Sequence, residues 1–92
     1  MAKHLVITGL VQGVGYRASF EAQARALKLC GWVRNRRDGS VEAMVRGDAE
    51  ALEQIIAWSR RGPSAAVVSA VTVGNADDAS IPDGRFDVRP TE

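Results

Sequence analysis

One cysteine (Cys30) and one histidine (His4) in 92 residues exclude two classes of small protein at once. A disulfide framework needs paired cysteines, and a closed zinc site wants about four Cys/His ligands. Long apolar runs are missing as well. The longest, among them Ala65 to Val68, fall far short of the ~20 residues that span a bilayer. Met1-Ala2-Lys3-His4 enters a strand-like pattern directly, with no apolar leader and no cleavage site, so a cytoplasmic protein without membrane contact is expected. Excess charge of one sign is also lacking: 12 Lys+Arg stand against 11 Asp+Glu, a net charge of +1. No bulk electrostatic pull toward nucleic acid or membrane follows from that balance.

What is present fits one small domain over residues 1–92. Charged residues are 25% of the chain, an ordinary globular value. Hydrophobic residues are 46%, but fourteen of them are alanine, which leaves 28 larger apolar side chains. That suffices for one compact two-layer core and not for two. Ten of the twelve cations are arginine, the residue suited to holding phosphate or carboxylate through two parallel hydrogen bonds.

Lys3 to Val11 is rich in Val, Ile, Leu and Thr and predicts a strand. Gly13 and Gly15 interrupt it, and from Tyr16 the period turns helical through Tyr16, Phe20, Gln23/Ala24 and Leu27. Gly31 stands where a helix C-terminal glycine is expected, with Cys30 ending the helix on an apolar position. Trp32 to Arg37 and Ser40 to Gly47 read as a hairpin around Asp38-Gly39. Asp48 is a good N-cap for a second helix with the stripe Leu52, Ile55, Ile56 and Ser59, which Gly62 and Pro63 stop. Ala66 to Val73 is a β-branched strand, Gly74 to Gly84 a polar loop, and Phe86 to Arg89 a last short strand. The order β-α-β-β-α-β with right-handed crossovers predicts an α+β ferredoxin-like sandwich, two helices on one face of a four-stranded antiparallel sheet. That architecture serves many functions and names none.

Chemistry has two candidate seats. Gln12-Gly13-Val14-Gly15-Tyr16-Arg17 lies where the first strand meets the first helix. Glycines let the backbone turn tightly there, and unsatisfied first-turn N–H groups can cradle an anion, with Arg17 adding charge-assisted bonds. The stretch is not a Walker A loop, and Ala18 breaks the dinucleotide fingerprint. Taken alone, it is equally a plain turn with a solvated arginine. The second seat is Gly31-Trp32-Val33-Arg34-Asn35, where alternation sets the uncharged Asn35 on the face of Val33. Alone, Asn35 also reads as a strand-end residue bonding the adjacent turn. In this fold the first and second strands run parallel with the third between them. Arg17's loop and Asn35 then share one end of the sheet, two strand spacings or about 10 Å apart.

Ile7-Thr8-Gly9-Leu10-Val11-Gln12-Gly13-Val14-Gly15-Tyr16-Arg17 resembles the first signature of the acylphosphatases. Gly31-Trp32-Val33-Arg34-Asn35-Arg36-Arg37-Asp38-Gly39-Ser40-Val41, closing at Gly47, resembles the second. With length and element order also matching, the resemblance covers the whole chain. It implies hydrolysis of acyl phosphates to a carboxylate and inorganic phosphate, and that chemistry is expected to need neither metal nor cofactor. By position Arg17 would be the catalytic phosphate-binding arginine, Asn35 would orient the attacking water, and the backbone N–H groups of Gly13, Val14, Gly15, Tyr16 and Arg17 would form the cradle. Tyr16 departs from a family that often has phenylalanine there. Inorganic phosphate would be product and inhibitor, and the chain is taken as a monomer. The alternative is a non-catalytic regulatory module of the same fold that binds an anion without turning it over.

The remaining chemistry-bearing residues receive plainer readings. Cys30 is a packed small hydrophobe, His4 a solvated residue, and Trp32 and Trp58 fill space. Arg34, Arg36 and Arg37 charge an expected edge strand against aggregation. An RNA-recognition surface needs aromatics on the central strands, and Leu5 to Val11 and Val41 to Val45 have none.

Overall fold

The computed structural model describes residues 1–81 and 84–92. The chain runs β1 (Ala2–Leu10), α1 (Tyr16–Ala26), β2 (Cys30–Asn35), β3 (Val41–Arg46), α2 (Ala49–Ser59), β4 (Val67–Asn75), a single 3-10 turn (Asp78–Ser80) and β5 (Phe86–Arg89). The polar loop expected over Gly74 to Gly84 begins late, because β4 runs on to Asn75. Residues 82 and 83 of that loop lie outside the described residues. No helix among the described residues is long and apolar enough to cross a membrane.

One sheet carries the strands in the order β4-β1-β3-β2-β5. β3 pairs antiparallel with both β1 and β2, so β1 and β2 run parallel, as the sequence predicts. The sheet has five strands rather than four, and it is not wholly antiparallel. β5 joins β2 in parallel, Gly31 beside Phe86 and Val33 beside Val88. β2 is therefore an interior strand, which corrects the edge-strand reading of its arginines. Arg34 and Arg36 instead converge on Glu42 of β3, at 2.8 and 3.0 Å.

Period two along the strands sends Leu5, Ile7, Val33, Val41, Ala43 and Val45 to the helix side, all fully buried. Period 3.6 brings Tyr16, Phe20 and Ala24 of α1 and Leu52 and Ile55 of α2 down onto them. Asp48 caps α2 by accepting from the Ala51 N–H at 2.8 Å. The carboxy-terminal end of α1 differs from expectation. Lys28, at φ 59, takes the left-handed position, with Leu29 N–H bonded to the Ala24 carbonyl and Lys28 N–H to the Arg25 carbonyl. That is the reciprocal pattern of a helix stop usually given to glycine. Gly31 serves elsewhere, inside β2 at φ 140, where a Cβ would lie 1.8 Å from the Met44 carbonyl oxygen. Cys30 accordingly opens β2 rather than closing α1, and its sulfur accepts from the Gly84 N–H at 3.2 Å.

The face turned away from the helices is polar but closely built. Glu42 is 8% exposed and receives Arg34, Arg36 and, at 2.6 Å, His4 Nε2. His4 is thus a member of a cluster, not a freely solvated side chain. The guanidinium groups of Arg34 and Arg89 both lie over the Trp32 ring, 4.6 and 4.8 Å from its centre.

Candidate active site

The junction after β1 is anchored at Val11, which is 1% exposed. Gly13 and Gly15 then adopt φ 74 and 78, and a Cβ on either would meet nothing within 4 Å. The turn itself, rather than crowding, calls for glycine there. Gly15 is also the N-cap of α1. It offers no side-chain acceptor, and no acidic residue stands in the first turn. The leading N–H groups of α1 are thereby left without a side-chain cap, at the positive end of the helix dipole.

Arg17 is half-buried in that first turn. Its Nη1 donates to the Arg89 carbonyl at 3.3 Å, and among the described residues it has no ion pair. Most of its donors remain uncommitted. Asn35 ends β2 at the same end of the sheet. Its Oδ1 is buried and has no hydrogen-bond partner, the one described side-chain atom in that condition. The hairpin beside it does not need that oxygen. Asp38 Oδ1 accepts from Ser40 N at 2.9 Å and from Ser40 Oγ at 2.6 Å, which closes the turn locally. The Ser40 hydrogen bonds also hold the Asp38 carboxyl below its usual range. A strand-end asparagine serving its turn is therefore not what is found.

Gly13, Gly15, Tyr16, Arg17 and Asn35 line one cleft of about 260 Å³, together with Val11, Ala18, Glu21 and Val88. Val14 is the exception among the expected cradle residues. It packs against the core and can contribute only main chain. Tyr16 is 1% exposed, its ring against Phe20 and Trp58 and its hydroxyl donating to the Ser59 carbonyl at 2.8 Å. Burial pushes its phenol well above the usual range, so it serves as a neutral donor linking the two helices.

The clamping role of Gln12, which opens the candidate loop, and two contributions of β5 lie beyond the sequence reading. Gln12 Nε2 donates to the carbonyls of Arg36 and Ser40, at 2.7 and 2.8 Å, and ties the loop to the hairpin that follows Asn35. An amide between apolar Val11 and Gly13 was the signal available. Val88 and the Arg89 carbonyl form a wall supplied by β5, and nothing local to them predicts the parallel pairing with β2. Among the described residues no group of three His, Cys, Asp or Glu side chains could hold a metal ion.

Residues 3–88 match the acylphosphatase family. An acylphosphatase of Azoarcus sp. (strain BH72) is 56% identical over 98% of this chain and 90% of its own length. The fold is similar to the crystal structure of acylphosphatase from Bacillus subtilis, with TM-score 0.86 and 32% identity over 97% of this chain and 99% of that one. It is equally similar to an acylphosphatase from Coxiella burnetii, with TM-score 0.87 and 34% identity over 96% of this chain and 90% of that one. Two long motifs in register, the element order and these likenesses agree: the chain belongs to the acylphosphatase family.

Proposed function

We propose that the acyl phosphate hydrolysis carried by family membership runs here on Arg17, Asn35 and the Gly13–Arg17 backbone, without metal or cofactor. The phosphoryl group sits on the uncapped N–H groups of α1, and Arg17 donates to two of its oxygens. One water lies against Asn35, whose amide oxygen accepts one O–H and aims the lone pair at phosphorus. The water oxygen forms a bond to phosphorus as the bond from phosphorus to the acyl oxygen breaks. The acyl group departs as a carboxylate, and the water's proton passes to a phosphoryl oxygen.

The observation that carries this reading is the buried, partnerless Oδ1 of Asn35 at the wall of the cleft that Arg17 also lines. A buried acceptor left without a donor costs stability, about 1–3 kcal/mol, and is retained where a ligand or water supplies the donor. The leaving group suits so small an inventory. Its parent acid has a pKa of about 4–5, so it departs without a general acid. Phosphoryl transfer chiefly demands position and charge stabilisation, which one arginine and oriented N–H groups supply.

Inorganic phosphate release from benzoyl phosphate, measured above its spontaneous hydrolysis, tests the reading. Turnover should persist in chelator, and phosphate should inhibit competitively. Arg17→Ala should lose both phosphate inhibition and most turnover, and Arg17→Lys should rescue poorly, since a point charge cannot form two parallel bonds. Phosphate binding without turnover would favour a regulatory module instead. Chelator loss restored by magnesium would overturn the metal-free mechanism.

A further inference from the structure

The cleft has a charge asymmetry that phosphate binding does not require. Its wall continues along α1 from Arg17 through Ala18 to Glu21, the one carboxylate among the described residues lining it. Four residues of helix place Glu21 on the same face as Arg17, about 6 Å further along the axis. The rest of that end is apolar, Ala18 on the helix and Val88 on β5. Arg25 pairs with Glu21 at 3.0 Å, but it is drawn away from the cleft. Its guanidinium also donates to the Phe86 carbonyl at 3.0 Å, and it lines a separate groove with Lys28 and Arg85. Glu21 thus borders the cleft, while the cation paired with it, Arg25, borders the neighbouring groove.

We infer that Glu21 is a specificity-determining residue: it disfavours acyl phosphates whose acyl group carries a second negative charge, and it favours neutral or cationic acyl groups. The inference rests on the proposed reaction, because it concerns the part of the substrate that projects from the phosphate cradle. A phosphoryl group fixed at Arg17 leaves its acyl substituent beside Ala18, Val88 and Glu21. An anionic group on that substituent comes within several ångströms of the Glu21 carboxylate. Unit charges about 6 Å apart, even with a water-like dielectric, change a binding or rate ratio by about threefold, and by more as water is excluded. Catalysis itself needs no carboxylate here. Glu21 therefore alters which acyl phosphates are taken and not how the bond is broken.

Benzoyl, 3-carboxybenzoyl and 3-(aminomethyl)benzoyl phosphate test this, since a rigid ring keeps each added group from attacking its own acyl carbon. The wild-type protein should show the lowest kcat/KM with 3-carboxybenzoyl phosphate. Glu21→Gln should raise the 3-carboxybenzoyl to benzoyl ratio of kcat/KM by about threefold or more and lower the aminomethyl ratio. Arg25→Gln, which removes the cation paired with the carboxylate, should shift both ratios the opposite way. A purely structural ion pair would move the ratios in neither variant. Unchanged ratios in Glu21→Gln, with benzoyl phosphate still turned over, overturn the inference and leave the reaction standing. A wild-type protein that hydrolyses none of the three overturns the reaction and the inference with it.

Discussion

Gln12 grips the main chain of Arg36, the residue next to Asn35, through a 2.7 Å hydrogen bond from its side-chain amide nitrogen. The same nitrogen reaches the Ser40 carbonyl at 2.8 Å. One side chain thus fixes the distance between the two halves of the cleft, the loop that leads to Arg17 and the strand end that presents Asn35. Gln12→Ala should lower kcat about tenfold to a hundredfold, because sub-ångström placement of a reacting water is lost. Two carbonyls losing a donor should also cost about 1–2 kcal/mol of stability. Gln12→Glu should not rescue, since a carboxylate cannot donate to either carbonyl. Wild-type kcat in a folded but less stable Gln12→Ala protein would make the clamp structural only.

Asn35→Ala should separate function from stability. No described protein group donates to its Oδ1, so truncation breaks no hydrogen bond within the protein and should leave stability within about 1 kcal/mol of wild type. kcat should fall by about a hundredfold or more, while phosphate inhibition persists through Arg17 and the loop. Thermal unfolding, initial rates and the phosphate inhibition constant on one sample test all three statements.

Glu42 gives the fold an acid-sensitive point. Burial alone would raise its carboxyl, but hydrogen bonds from His4, Arg34 and Arg36 outweigh that and bring it down to about 2 from 4.5. A folded value below the unfolded one means the contribution is complete above about pH 4.5 and is lost as pH falls through about 2. Solvent around His4 and Arg36 screens part of it, leaving about 1–3 kcal/mol. Glu42→Gln should be less stable by that amount at pH 7, with the gap closing between pH 4.5 and 2 in urea titrations.

Lys28→Gly should stabilise the protein by about 1 kcal/mol, because a non-glycine side chain at φ 59 opposes the left-handed backbone that ends α1. Urea unfolding reads the shift directly. Destabilisation would mean that the lysine side chain offsets its own backbone strain.

The elements with a strong local period were legible. Tyr16, Phe20 and Ala24, spaced for one helix face, are the buried face of α1, and Val41, Ala43 and Val45 alternate inward as read. Phe86–Arg89 was bounded as found, yet its pairing was not legible, since no local pattern says that Val88 lies beside Val33. That pairing moved Arg34 from an edge to the interior and gave Arg17 a carbonyl partner. The helix stop was misplaced because a glycine signal at position 31 outweighed a lysine that the reciprocal hydrogen bonds hold left-handed. Asn35 stands out in the sequence for being uncharged beside Val33. The absence of any partner for its oxygen could come only from the folded structure.

The parallel strand β5 also sets when the protein can begin to act. Leu5 must find Val73, and Gly31 must find Phe86, across most of the chain. Such distant pairings form late and make folding slow for the size of the protein. During synthesis the Gly13–Arg17 loop and Asn35 emerge early, but Val88 and the Arg89 carbonyl that complete their cleft come some fifty to seventy residues later. A nascent chain already carries both signature motifs, yet it has no finished pocket until translation has passed Arg89.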